Sequence, residues 1–311
     1  MTEYLKKIMD EIGFSDDACK YFLNMYSQLG GDGVKMLEEL RHKYFLDGGE
    51  DENEANGDVY HSLDFYANEN DISSYGLQML FMLCCSKRLE AGYKKKKLGR
   101  ELFIDLMKDL EYKNEECKRV YGEWGMAVFG WMHWHFLMKR FALGRFQYEK
   151  HGIDVPYNKS GFSLSVGDEV LKMHIPSSGP LSREKRIDSY KRAHKFYGYK
   201  PGEKMVIICN SWLLFNENIN IFDEKSNLRD FMNDFDNVQN TVCENAFPDS
   251  WRVFYRDYEG STDGFPMDTS LQRNIAKYLA EGKKIGFGYG VLIFDGENIV
   301  NKIKSDYIGR Y

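Results

Sequence analysis

The segment Leu171-Lys-Met-His174-Ile-Pro176-Ser177-Ser178-Gly179-Pro180-Leu181-Ser182 sets an apolar run before two serines and a glycine bracketed by prolines. That order predicts a strand ending at Ile175, a compact loop, and a helix over 182–197. Helix N-termini expose unpaired N–H groups and carry partial positive charge, so a loop at such an end suits a phosphate. Ser177 and Ser178 add hydroxyl donors, and Gly179 permits close backbone approach. Arg183, Lys185 and Arg186 bring cations into the first turn, where they oppose the helix dipole unless an anion relieves them. An ordinary strand-to-helix turn with a polar loop has the same composition, and these residues alone leave both readings open.

Other groups are less specific. Cys209-Asn210-Ser211-Trp212 ends an apolar strand over 205–209 in polar groups, as a helix cap beside a core tryptophan also would. Gly286-Phe-Gly288-Tyr-Gly290 resembles a nucleotide fingerprint, but such a fingerprint opens a helix, and Val291-Leu-Ile-Phe294 continues as strand. A glycine-interrupted strand is the better reading. His133 and His135 are two apart, which puts them on different faces of a helix, so no metal pair is expected there. The six cysteines are scattered, without CxxC or Cys/His finger spacing. No structural zinc and no disulfide framework is expected, and no metal cofactor.

With 311 residues, two domains are expected rather than one. A formal charge of −6 disfavours nucleic acid and anionic membrane as partners. The N-terminal Met1-Thr-Glu-Tyr-Leu-Lys-Lys7 shows no apolar signal region, and the apolar runs at 79–85 and 124–138 fall short of the ~20 residues that span a bilayer. These features predict a cytoplasmic protein with reduced cysteines.

The elements that must hold these groups differ between the two halves. The first ~140 residues read as helical. Ser15 caps a helix over 16–29, a second runs over 34–45, and longer ones over 72–91, 99–120 and 125–143. An acidic stretch, 46–58, reads as a solvated loop, and Lys94–Lys97 as a solvated helix end. After Gly144 the segments shorten and alternate. Strands are expected over 145–149, 162–166, 169–175, 205–209, 251–256 and 285–299, the last broken by a turn at Asp295-Gly296, with a hairpin turn at Gly167-Asp168. Helices are expected over 182–197, 227–238 (capped by Ser226) and 269–281 (capped by Asp268). The fold class is therefore α+β, with a helical domain over 1–143 and a mixed domain over 144–311.

Six segments occur in a shared order: Leu143-Gly-Arg-Phe-Gln-Tyr-Glu149, Met173-His-Ile-Pro176, Asp188-Ser-Tyr-Lys-Arg-Ala-His-Lys-Phe196, Cys209-Asn-Ser-Trp-Leu-Leu214, Ser226-Asn-Leu-Arg-Asp-Phe231 and Phe265-Pro-Met-Asp-Thr-Ser-Leu-Gln-Arg273. In them the chain resembles a bacterial acyltransferase family with a helical N-terminal domain and a GNAT-like C-terminal domain. The resemblance implies a mixed β-sheet whose fourth strand leads into the loop that holds the coenzyme A pyrophosphate. It places Ile175, Ser177, Ser178, Gly179, Leu181 and Arg183 at that loop. The common glycine pattern of GNAT loops, Gln/Arg-x-x-Gly-x-Gly/Ala, is absent. The fifth strand of such a sheet splays from the fourth and admits the pantetheine arm, which puts Asn210 on the arm, Ser211 near the leaving thiolate and Trp212 at the substrate cleft.

The resemblance further implies transfer of an acyl group from acetyl-CoA or another acyl-CoA to an amine on a small molecule or peptide. A free amine has a pKa near ~10, so a base must take its proton. Glu149 is the first candidate and His174 the second, because both lie at strand ends near the expected donor. A non-catalytic acyl-CoA-binding or sensor module with the same shell is the alternative. The acceptor, the chain length and the oligomeric state are not encoded in any of these motifs.

Overall fold

The computed structural model describes residues 1–159 and 161–302, so Ser160 and residues 303–311, both inside the expected second domain, lie outside it. The chain divides into two compact units, Met1–Ala142 and Leu143–Tyr311.

The first unit is helical: α1 (Thr2–Ile12), α2 (Asp16–Gln28), α3 (Gly30–Tyr44), α4 (Glu52–Glu69), α5 (Ser74–Lys95), α6 (Arg100–Tyr121) and the short α7 (His133–Phe136). Residues 76–86 of α5 are buried without a break, so this helix is the core, and α1, α2, α3, α4, α6 and α7 all touch it. Ser15 caps α2 by accepting from Ala18 N, as expected. Three expectations fail here. α1 was not anticipated. The acidic stretch is not all loop: Asp51 accepts from Asn53 N and Glu54 N, and α4 starts at Glu52, because carboxylates favour a helix N-terminus. The helix expected over 125–143 is broken up. Gly125 lies so close to Tyr75 that a Cβ would stand 2.4 Å from its carbonyl carbon, and Met138 has φ 55. The run becomes a 3₁₀ turn at Phe129–Met132, α7, and then strand β1 (Arg140–Leu143). His133 and His135 are bound to the backbone carbonyls of Tyr44 and Trp131.

The second unit contains β2 (Phe146–Gly152), β3 (Tyr157–Lys159), β4 (Phe162–Leu164), β5 (Glu169–His174), α8 (Arg183–Phe196), β6 (Met205–Ser211), α9 (Asn227–Met232), β7 (Asp236–Thr241), α10 (Trp251–Phe254), α11 (Ser270–Ala280) and β8 (Phe287–Phe294). The main sheet has the order β1-β2-β5-β6-β8-β7, and β5–β6 is a parallel pair between antiparallel ones. The expected α+β class is what the structure has.

Facing residues of a ladder share a side of the sheet. Phe146, Tyr148 and Met173 lie on the side covered by α8: Tyr148 Oη is 3.0 Å from Ser189 Oγ, and Phe146 stacks on Tyr190. Glu149, Lys172, Ile208 and Val291 share the other side, whose apolar cluster is Ile153, Tyr157, Val170, Val206, Ile208, Tyr289, Val291 and Ile293.

Several boundaries move. The turn at Gly167-Asp168 exists, with Ser165 N donating to Asp168 Oδ2, but it does not join a hairpin. β4 pairs with β3 in a separate two-stranded sheet, and β5 pairs with β2. The helix expected to reach residue 238 ends at Met232, and 236–241 is the edge strand β7. Arg186 holds Asp234, and Tyr157 and Lys159 hold Asp236, so tertiary bonds override the helical pattern. The strand expected over 251–256 is the single turn α10, stopped by Tyr255 at φ 58. Thr269, not Asp268, caps α11, in a capping box with Gln272. After Asp295-Gly296 only a single bridge, Phe294–Ile299, replaces the last strand.

Candidate active site

Glu149 sits mid-strand in β2 and His174 ends β5, two residues from direct opposition but on the same side of the sheet. Their side chains meet: His174 Nε2 is 2.9 Å from Glu149 Oε1. With the carboxylate ionised, the imidazole N–H donates. Glu149 is 4% exposed and His174 somewhat more, so the pair is largely held away from bulk water.

β5 and β6 pair only at Leu171–Ile207 and Lys172–Ile208. Beyond that point each strand stays paired on its outer side, β5 to β2 through His174 and β6 to β8 through Ser211. The two strand ends therefore part, and no ladder pair joins 173–174 to 209–211. Asn210 is exposed and shares the side of Glu149. Ser211 lies on the opposite side, and its hydroxyl accepts from Leu213 N, so it caps the turn Trp212–Leu214 and does not join Glu149. Trp212 is buried edge-on against Phe222 and Phe247. Cys209 is buried, and burial pushes its thiol up to about 12.

The glycines of β8 explain how this turn is held. Cβ atoms at Gly288 and Gly290 would stand 2.0 Å from the Leu214 carbonyl oxygen and 2.8 Å from its Cδ1. Bare backbone on one side of β8 lets the turn after β6 press onto the strand.

The loop after β5 is pinned from beneath. Arg145, buried, donates to the carbonyls of Pro176 (2.8 Å), Gly179 (2.8 Å) and Pro180 (3.4 Å). Sequence reasoning missed it, because an arginine in the turn before a strand carries no local signal of what it reaches. Gly179 has φ 95 and nothing within 4 Å of where a Cβ would be, so it borders open space. Ser177 is exposed, and the Ser178 hydroxyl is buried with no hydrogen-bond partner. These residues fit a phosphate-bearing group. The cations of α8 do not behave as expected. Arg186 is fully buried and bound to Asp234 (2.7 Å), Asp230 (2.7 Å) and the Leu181 carbonyl (2.6 Å). Arg183 lies 3.7 Å from Asp230 and 3.8 Å from Asp234. Carboxylates relieve these charges, so no bound anion is required to do it. Burial raises the Asp234 carboxyl, and the Arg186 bonds act against that.

A sheet with one parallel pair that splays beside an amide loop and a helix start defines a GNAT-like transferase fold. Residues 141–292 match the GNAT-like C-terminal domain, and residues 3–138 match the N-acyltransferase N-terminal domain. The chain belongs to the acyltransferase family that joins these two domains, and it is an acyltransferase. Solved structures share the fold over 92% of this chain and 98% of theirs. One is an acyltransferase in complex with decanoyl-CoA and teicoplanin, at 17% identity and TM-score 0.59. Another is an acyltransferase in complex with CoA and 10C-teicoplanin, at 18% and 0.59. A third is an acyltransferase mutant in complex with octanoyl-CoA, at 17% and 0.58. No curated protein matches the chain. Among the described residues, no helix is long and apolar enough to cross a membrane.

Proposed function

We propose that this acyltransferase moves an acyl group from coenzyme A to an amine on a small molecule or peptide. The observation that carries the reading is the parting of β5 and β6 beyond Lys172 and Ile208, directly beside the loop at 176–181. In this reading Ile175, Ser177, Ser178, Gly179 and Leu181 hold the pyrophosphate. Asn210 bonds the pantetheine arm from the exposed end of β6. Glu149, oriented by His174, takes the proton of the attacking amine. A C–N bond forms, the C–S bond breaks, and the released proton ends on the coenzyme thiol, so the step is balanced. The acyl-CoA and teicoplanin ligands in the similar solved structures support an acyl-CoA donor and an amine on a small molecule or peptide. Acetyl-CoA and longer acyl-CoAs are the donors to compare.

Calorimetric titration of the full chain with acetyl-, octanoyl- and decanoyl-CoA tests the reading. Saturable binding of at least one is expected, and absence of heat with all three sinks it.

A further inference from the structure

The geometry points to Arg145 as the positioning residue of the coenzyme loop, one that turns the loop's amides toward the pyrophosphate from behind. The inference rests on the coenzyme reading of 175–181 given above. A trans peptide sets its C=O and N–H in opposite directions, and none of the described peptide bonds is cis. Arg145 draws in the carbonyls of Pro176 and Pro180. The N–H groups on the far side of those two peptides belong to Ser177 and Leu181, and they therefore point away from the guanidinium. The third carbonyl, of Gly179, precedes Pro180, which has no N–H to present. The two peptides flank Gly179, the point that borders open space.

Charge and direction act together. The Arg145 guanidinium stands at the oxygen ends of peptide dipoles whose N–H ends point away from it, and both features favour an anion on the far side of the loop. Its planar fork reaches three carbonyls at once, which an ammonium cannot match in geometry. Gly144, at φ 78, lets β1 turn into β2 over α8 and delivers Arg145 beneath the loop. Arg186 holds the next carbonyl, Leu181, but removing it would strand Asp234 in a buried site, so Arg145 is the informative position.

The test is calorimetry of the full chain with coenzyme A, alongside thermal unfolding and hydrogen exchange at Ser177 and Leu181. Arg145→Gln is expected to weaken coenzyme A by about tenfold or more and to speed exchange at those two amides. Arg145→Lys, which keeps the charge, is expected to recover part of the affinity. Glutamine variant and wild type binding alike overturns the role of Arg145 and leaves the coenzyme reading intact. A wild-type chain that binds no coenzyme A removes both. Should the glutamine variant not fold, the lysine variant decides. Weaker binding at an unchanged unfolding midpoint supports the proposal, and wild-type affinity overturns it.

Discussion

Glu149 and His174 were separate candidates when only their strands were considered, and they are one hydrogen-bonded pair in the fold. The pairing suits a base that must be oriented before it accepts a proton. Glu149→Gln keeps the shape and removes the basic oxygen. Turnover is expected to fall roughly tenfold or more, the low end for losing a general base, with acyl-CoA affinity nearly unchanged. Steady-state rates beside calorimetric titrations check this, and unaffected turnover would exclude Glu149 as the base. Both were named as strand-end residues, and the structure sets His174 at the end of β5 but Glu149 in the middle of β2. Ser211 and Trp212 were read from polarity and size; in the fold Ser211 caps the next turn and Trp212 packs on Phe222 and Phe247. A strand reverses side-chain direction at each residue, and which side each residue takes depends on pairing.

At the scale of elements, strand β5, its loop and helix α8 form the unit most readable from sequence, since prolines, glycine and a charged amphipathic stretch mark each boundary. The loop assignment makes its own prediction. Gly179 occupies a positive-φ position facing open space, so Gly179→Trp brings both backbone strain and a ring into the coenzyme's place. Loss of measurable acyl-CoA binding is expected, with a circular dichroism spectrum like that of the wild type; unaltered affinity would withdraw the loop from the site. The end of the helix at Met232 and the edge strand β7 were not legible. Arg186, 48 residues before Asp234, decides them, and no local pattern carries a bond of that sequence separation.

For the whole molecule, the helical unit has a pH dependence of its own. Glu111 on α6 is raised to about 7 by burial first and by Glu115 second. A carboxyl raised in the folded state binds more protons there than in the unfolded chain. Its contribution is therefore fully present below its unfolded value and is lost as pH rises through about 7. Glu111→Gln removes that loss. After discounting for partial exposure, the variant should gain about 1 kcal/mol over wild type at pH 8 and less at pH 5. Urea midpoints at the two pH values check this, and an equal gain at both would refute it.

The sequence by itself determined the α+β class, the change of texture near residue 144 and the strand–loop–helix around Gly179, and it offered Glu149 and His174 as separate candidates. These rest on local propensity, turn chemistry and residue type, which act over a few positions. Only the tertiary structure decided that β5 leaves β6 after two pairs, that Arg145 underpins the loop, that Asp230 and Asp234 take the charges of Arg183 and Arg186, and that Ser211 turns away from Glu149. Each of those depends on strand register or on a bond between distant residues, and neither is written in any short stretch of the chain.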